Sequence, residues 1–216
     1  MTNNQLQIQS FVFGPFETNT YVVSDDQHIL LVDPACYTQV EQQELEKYIN
    51  AQLSIVHCPL SIIATHGHLD HLWGAKWATE KWNTPVLIHE ADIPMVEAMQ
   101  TQYDLFGIRR QAESFPIESI TNDQLPMTNM SIVSTPGHTP GSICLYWPQS
   151  LNLHSFTPSF LISGDTLFYM GYGRTDLPGG NMSQLIASLE HLFTLPSDTR
   201  VFPGHGKMTT IGAEKL

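Results

Sequence analysis

The sequence predicts an α/β fold in which two similar β-rich halves, each covered by helices, form a four-layer αββα sandwich. Short apolar runs of strand length alternate with segments of helical periodicity along the chain. The second half, from residue 131 onward, repeats the pattern of the first. No linker or low-complexity segment divides the 216 residues, so we predict one domain spanning residues 1–216.

The first half contains apolar and β-branched runs that are typical of buried strands. These predicted strands are residues 6–13, 20–24, 29–33, 60–65 and 84–89. Amphipathic patterns predict helices at 38–51 and 70–82. Residues 90–125 are polar and indicate helix and loop, which we interpret as a lid or an insertion.

The second half is predicted to contain four strands and one long helix. The strands are residues 131–135, 142–147, 160–165 and 199–205. The helix spans 181–195, with Asn181 as its N-cap and Pro196 at its end.

The composition excludes several classes of protein. Only 9 basic residues accompany 21 acidic ones, and a formal charge of −12 disfavours nucleic acid as a partner. No apolar stretch approaches the roughly 20 residues of a membrane span, and the N-terminus does not resemble a signal peptide. The three cysteines have neither disulfide-type nor metal-type spacing, which favours a reducing compartment. We therefore expect a cytoplasmic protein; the sequence predicts no oligomeric state.

The most informative motif is THGHLDH, residues 65–71, directly after an apolar run. If the chain leaves the strand in an extended conformation, His66 and His68 point to the same side and can bind one metal ion. Asp70 and His71 follow at the start of the predicted helix and can face a second ion. The loop therefore presents four ligands in two sets at the end of a strand, where α/β active sites usually lie.

Three further segments have the same form, in which a strand end is followed by a turn and a metal-type side chain. They are TPGHTPGS with His138, ISGDTLF with Asp165 and FPGHGK with His205. The adjacent glycines let the backbone turn sharply. The predicted first site is His66, His68, His138 and Asp165; the second is Asp70, His71, Asp165 and His205. Asp165 would be shared between the two ions.

The ligand set contains imidazole and carboxylate without thiolate, which suits zinc, iron or manganese. We predict two divalent ions and take zinc as the default. Open coordination positions are typical of catalytic zinc, and two ions ~3.5–4 Å apart would share a hydroxide with a conjugate-acid pKa of about 7. No serine or cysteine nucleophile is then required.

In this order, THGHLDH, PGHTPGS, SGDTLF and PGHG resemble the motifs of the metallo-β-lactamase superfamily. The resemblance extends over almost the whole chain, including TNTYVV and LLVDP, and implies the four-layer fold. It also implies a structural or supporting role for Asp33 beside the ligands.

Within the superfamily, SGDTLF is similar to the glyoxalase II branch, also called hydroxyacylglutathione hydrolase. The secreted β-lactamases commonly have a cysteine in the second site, and none of the cysteines here fits that position. The resemblance thus implies hydrolysis of a small-molecule thioester by a metal-bridging hydroxide, with Asp70 and Asp165 as the catalytic carboxylates.

The sequence departs from the glyoxalase II pattern in two places. The helical region that contacts glutathione in that family has no counterpart, because the chain ends 11 residues after His205. The lysine and tyrosine that follow the aspartate motif there are replaced by Arg174 and Asp176. Arg174 either binds a substrate carboxylate or forms a salt bridge with Asp176. GRTDLPGG is similar to short, single-domain glyoxalase II-like hydrolases.

Two other functions are compatible with the same residues. A persulfide dioxygenase shares the scaffold and a similar GRTD segment, but uses one iron held by two histidines and an aspartate. A non-catalytic metal-binding scaffold would retain the ligands without catalysis, although a scaffold that had lost its reaction should lose ligands first.

Overall fold

The computed structural model describes residues 6–56, 58–120, 127, 129–152 and 155–215. The chain divides into two compact units, Met1–Ile120 (unit 1) and Thr121–Leu216 (unit 2). Each unit contains a main β-sheet together with helices, so the predicted α/β class is confirmed. The assignment of the whole chain to one domain stays a prediction.

Six strands form the sheet of unit 1. They are β1 (Gln7–Phe13), β2 (Thr18–Ser24), β3 (Ile29–Val32), β4 (Leu60–Ile63), β5 (Val86–His89) and β6 (Ile117–Ile120). The strands lie in sequence order; β1, β2 and β3 pair antiparallel, whereas β3, β4, β5 and β6 pair in parallel. The predicted strands of this half are confirmed within a few residues.

Helices connect the parallel strands of unit 1. They are α1 (Gln39–Val56), α2 (Ala75–Trp82), α3 (Ile93–Glu97) and α4 (Met99–Leu105), with 3-10 turns at Leu69–His71 and Glu90–Asp92. The helix predicted from residue 70 begins later, because Leu69–His71 is a 3-10 turn. Gly74 then caps α2, with its N–H donating to the Pro34 carbonyl at 2.8 Å.

Residues 90–120 belong to the body of unit 1. Val96, Met99 and Tyr103 are buried in the same apolar cluster as Leu45 of α1 and Ile62 of β4. Strand β6 adds to the sheet next to β5. The predicted helix and loop are present, but the lid interpretation is wrong for these residues, because their apolar side chains are buried in the core of unit 1. In the sequence these apolar residues are spaced among polar ones, and the pattern hid the buried face. Residues 121–125 lie outside the described part of the chain.

Unit 2 contains one main sheet and two hairpins. In chain order the strands are β7 (Ser131–Ser134), β8 (Ile143–Trp147), β9 (Ser150–Asn152), β10 (Ser155–Thr157), β11 (Phe160–Gly164), β12 (Leu167–Phe168), β13 (Gly171–Tyr172), β14 (Arg200–Pro203) and β15 (Thr209–Thr210). The main sheet has the strand order β15-β14-β11-β8-β7. All four predicted strands are present. The parallel pair β11 and β14 places the residues that follow them at the same edge of the sheet.

Two helices, α5 (Met182–Leu192) and α6 (Ile211–Glu214), pack on the strands of unit 2. Leu185 and Leu192 of α5 are buried with Leu161, Val201 and Ile211. The predicted N-cap is confirmed, since the Asn181 side chain accepts a hydrogen bond from Gln184 N at 3.1 Å. In the described part of both units, no helix has the length and apolar character needed to cross a membrane.

Candidate metal ligands

The loop that follows β4 buries all four of the ligands predicted in unit 1. The exposed fractions are 0% for His66, 8% for His68, 7% for Asp70 and 0% for His71. The ligand atoms of His66 and His68 lie within 4.8 Å of each other, as do those of His66 and His71. His68 has extended backbone angles of φ −76° and ψ 147°. The two side chains are thus close enough to bind one ion, and the binding itself stays a prediction.

Asp33 holds His71 in the orientation that a metal ligand needs. Its Oδ2 accepts a hydrogen bond from His71 Nδ1 at 2.9 Å and another from Thr65 Oγ1 at 2.8 Å. Because a carboxylate only accepts, the His71 proton lies on Nδ1 and the ring lone pair lies on Nε2. Asp33 is fully buried and has a left-handed φ of 51°, a conformation that is uncommon for residues other than glycine but is enriched among Asp and Asn.

Two threonine hydroxyls form hydrogen bonds with His66 and Asp70, two other ligands of this loop. Thr65 donates its proton to Asp33, so its oxygen is the acceptor for His66 Nδ1 at 3.1 Å. This bond fixes the His66 lone pair on Nε2 as well. The Thr18 hydroxyl donates to Asp70 Oδ2 at 2.7 Å and orients that carboxylate.

In unit 2 the two predicted histidine ligands lie close to one carboxylate oxygen of the third ligand, Asp165. Asp165 Oδ2 lies 3.4 Å from His138 Nε2 and 3.6 Å from His205 Nε2. Asp165 and His205 follow the parallel strands β11 and β14, and His138 lies in the turn between β7 and β8. His138 Nδ1 donates to the Arg174 carbonyl at 2.7 Å, which again places the ring lone pair on Nε2.

These separations fit ligands that share a metal ion. Two ligands at ~2.0–2.1 Å from a tetrahedral zinc ion are separated by about 3.3 Å. In unit 2 the observed distances are 3.4 and 3.6 Å, and in unit 1 His71 Nε2 lies 3.5 Å from Asp70 Oδ2. In His66, His71 and His138, the hydrogen bond at Nδ1 places the ring lone pair on Nε2. These imidazole nitrogens and the nearby carboxylate oxygens are ligand types that suit a divalent ion.

Among the described residues, no cysteine belongs to a group of side chains that could hold a metal ion. Cys36 and Cys144 are fully buried, whereas Cys58 is partly exposed. Burial raises the pKa of Cys144 to about 11 and raises that of Cys36 further. Without a metal ion, these two thiols stay protonated at neutral pH. A ligand set of nitrogen and oxygen atoms stays a prediction.

Arg174 forms the salt bridge that was one of its two predicted roles. Its Nε and Nη2 donate to the two carboxylate oxygens of Asp176 at 2.6 and 2.7 Å. Hydrogen bonding from Arg174 lowers the pKa of Asp176 to about 2, so the pair is charged at any pH above about 4. Both side chains are more than half exposed, so the pair contributes little to stability.

Sequence reasoning did not identify the residues that support the ligands, apart from Asp33. Thr18, Asp92 and Gln102 each bond to the THGHLDH loop from a distant part of the chain. Thr65 bonds from within the motif itself. No local spacing distinguishes these side chains from ordinary polar residues, so no sequence signal could have found them.

Comparison with known proteins identifies a family and several relatives. The sequence profile of the metallo-β-lactamase superfamily matches residues 13–205. The probable metallo-hydrolase YqgX of Bacillus subtilis is 33% identical over 94% of this chain and 91% of its own length. The hydroxyacylglutathione hydrolase GloC of Haemophilus influenzae is 30% identical over 97% of this chain and 95% of its own length.

Two solved structures are similar over nearly their whole length. The B3 metallo-β-lactamase BLEG-1 is 29% identical, with a TM-score of 0.78 and coverage of 96% of both chains. TTHA1623, crystallised in a di-iron-bound form, is 29% identical, with a TM-score of 0.73 and coverage of 95% of this chain and 96% of the other.

Proposed function

Because the chain belongs to the metallo-β-lactamase superfamily, we propose that it is a metal-dependent hydrolase that cleaves small thioesters of the hydroxyacylglutathione type. The observation that carries the two-metal part of the proposal is Asp165 Oδ2, which lies within 3.6 Å of both His138 Nε2 and His205 Nε2. A carboxylate between two imidazole donors is suited to bridging two ions. The thioester part is supported by the SGDTLF resemblance and by the 30% identity with GloC.

We assign the ligands to two sets that share Asp165. The first ion would be held by His66, His68, His138 and Asp165, and the second by Asp70, His71, Asp165 and His205. Zinc is the ion we expect, with iron or manganese as alternatives. The di-iron-bound form of the similar TTHA1623 supports a two-ion centre and keeps iron as a candidate.

The residues of this chain would position and activate the reactants. When bound, two divalent ions would lower the pKa of a water molecule to about 7 and polarise the thioester carbonyl. Asp70, oriented by the Thr18 hydroxyl, is the carboxylate we assign to accepting the proton of the attacking water. Attack on the carbonyl carbon breaks the carbon–sulfur bond, and the thiolate departs with a carboxylate as the second product.

We assign the exposed guanidinium of Arg174 to binding a substrate carboxylate. The guanidinium group has five N–H groups and Asp176 accepts hydrogen bonds from two of them, so the salt bridge and a substrate contact are compatible.

Arg174→Met should raise the KM for a carboxylate-bearing thioester about tenfold. Metal content should not change, because the Arg174 carbonyl that accepts from His138 remains. Arg200→Met, an exposed arginine on β14, is the matched control; an equal KM for both variants would reject the assignment.

The direct test measures turnover of S-lactoylglutathione by purified protein with and without a chelator. We expect turnover that the chelator abolishes and that added zinc restores. His68→Ala should fold and lose at least a hundredfold in activity. Retention of full activity by this variant, or turnover that is insensitive to chelator, would contradict metal-dependent hydrolysis by these residues.

The same preparation distinguishes the other candidate reactions. A persulfide dioxygenase would contain one iron per chain, consume oxygen with glutathione persulfide and leave the thioester intact. Since BLEG-1 is a B3 metallo-β-lactamase, a chromogenic cephalosporin should be included; cephalosporin turnover without thioester turnover would also reject the proposal. A non-catalytic scaffold would bind metal and turn over none of these substrates.

A further inference from the structure

We propose that Gln102 and Asp92 form a clamp that positions the metal ligand His68. The Gln102 side chain makes three hydrogen bonds to main-chain atoms of unit 1. Its Oε1 accepts from Leu69 N at 3.0 Å, and its Nε2 donates to the Gly67 carbonyl at 2.9 Å and the Met95 carbonyl at 3.1 Å. Two of these bonds therefore hold the main chain on either side of His68, at the Gly67 carbonyl and at the Leu69 N–H.

The backbone conformation of His68 explains why one amide can make both bonds. In an extended chain, the carbonyl of the preceding residue and the N–H of the following residue point to the same side. His68 is extended, so the Gly67 carbonyl and the Leu69 N–H present an acceptor and a donor together. The side-chain amide of Gln102 pairs with them as a neighbouring strand would, which fixes the peptide planes on either side of His68.

Asp92 binds the same loop at the N–H of Gly67, one peptide before the Gly67 carbonyl that Gln102 binds. Its Oδ2 accepts from Gly67 N at 2.8 Å, and its side chain is fully buried. Gly67 lies so close to this region that a Cβ atom would be 3.2 Å from the Asp92 carbonyl oxygen and 3.3 Å from the Asp92 Cβ. Gly67 thus has both its N–H and its carbonyl bound by residues of the segment between β5 and β6.

The clamp is attached to the core of unit 1. Met99 and Tyr103 flank Gln102 on α4, and they are only 5% and 6% exposed in the main apolar cluster. A side chain on an anchored helix holds its partners more firmly than one on a solvated loop. We infer that this segment orders the ligand loop before metal binds, so that binding costs less conformational entropy.

The experiment compares zinc affinity, measured by competition with a chromogenic chelator, with the urea unfolding of the metal-free protein. Gln102→Met removes all three hydrogen bonds at nearly constant volume, and we expect zinc affinity to fall about tenfold or more. Gln102→Glu keeps the acceptor for Leu69 N but places oxygen against two carbonyls, so it should also weaken zinc binding. If the Met variant does not fold, the Glu variant supplies the test.

Gln100→Met is the matched control on the same helix. Gln100 accepts from Ala112 N and donates to Asp104, and neither partner is in the ligand loop. We expect its zinc affinity to stay within twofold of the wild-type value. A purely structural role for Gln102 would lower the urea midpoint while leaving zinc affinity unchanged, and this result would overturn the clamp.

This inference rests on the proposed metal-dependent function, and the wild-type protein separates the two failures. If wild-type protein binds no zinc, iron or manganese, the metal centre and the clamp both fail. If wild-type protein binds zinc and both Gln102 variants bind it equally well, only the clamp fails.

Discussion

Asp33 illustrates how a single residue prepares a ligand. Its Oδ1 accepts from Thr65 N at 2.7 Å, while its Oδ2 accepts from His71 Nδ1 and Thr65 Oγ1. Both carboxylate oxygens are therefore used by donors, and the group is fully buried. A left-handed φ is tolerated by Asp and Asn better than by most residues. An asparagine can therefore adopt the backbone conformation of Asp33 but cannot accept at both ends.

Asp33→Asn is expected to weaken metal binding 10- to 100-fold while the protein remains folded. The new NH2 group must face either Thr65 N–H or His71 Nδ1. In the second orientation His71 becomes the acceptor at Nδ1, and its proton moves to Nε2, the wrong atom for a ligand. Zinc affinity by chelator competition measures the effect.

Asp25→Asn provides the control for this prediction. Asp25 also accepts from two main-chain N–H groups, those of Gln27 and His28, but in the turn between β2 and β3. If the two variants bind zinc equally well, Asp33 does not tune His71.

The seven proposed ligands could be predicted from the sequence because each occurs in a local strand-turn motif with its own signal. Thr18 and Gln102 could not, since their partners are 52 and 33 residues away in the chain. The contacts depend on strand register and helix placement, which short-range spacing does not encode. The role of the Arg174 carbonyl was equally invisible, because a main-chain acceptor leaves no mark in the sequence.

At the scale of elements, the hairpin of β12 and β13 must pass close to the ligands of unit 2. A Cβ atom on Gly173, directly after β13, would lie 1.9 Å from the Asp165 carbonyl oxygen and 3.0 Å from His138 Nδ1. The Asp165 carbonyl oxygen is a main-chain atom, so it cannot move away from such a Cβ atom without displacing the ligand Asp165. Only glycine permits this approach.

Gly173→Ala should therefore lower the free energy of unfolding by about 1–3 kcal/mol. Because the displaced atoms belong to Asp165 and His138, zinc affinity should fall as well. Urea unfolding of the metal-free protein and chelator competition measure the two effects separately.

Gly171→Ala tests the specificity of this effect within the same hairpin. A Cβ atom there has nothing within 4 Å, so we expect a change of less than about 0.5 kcal/mol and unaltered zinc affinity. If the two substitutions had equal effects, the loss would come from any alanine in the hairpin and not from the close approach of Gly173 to Asp165.

Most strands and the long helices could be predicted because their apolar residues recur with a clear period. The helix 38–51 is present as α1 but continues to Val56. For residues 90–120 the helix and loop were predicted, but their buried face was not. Val96, Met99 and Tyr103 lie among polar residues in two short helices and do not give a sustained stripe. The two-residue strands β12, β13 and β15 are too short for any periodic signal.

At the scale of the molecule, the family match over residues 13–205 includes all the proposed ligands. The formal charge of −12 includes the carboxylates of Asp70 and Asp165. Both residues are more than nine-tenths buried and lie beside histidines. Two divalent ions would offset part of the negative charge where it is least solvated.

The most direct test of the central claim is the metal content per chain, measured by elemental analysis on the purified protein before any metal is added. We predict close to two ions per chain, with S-lactoylglutathione turnover by the same sample. A content of one iron per chain without thioester turnover would contradict the dinuclear thioesterase and favour the persulfide dioxygenase.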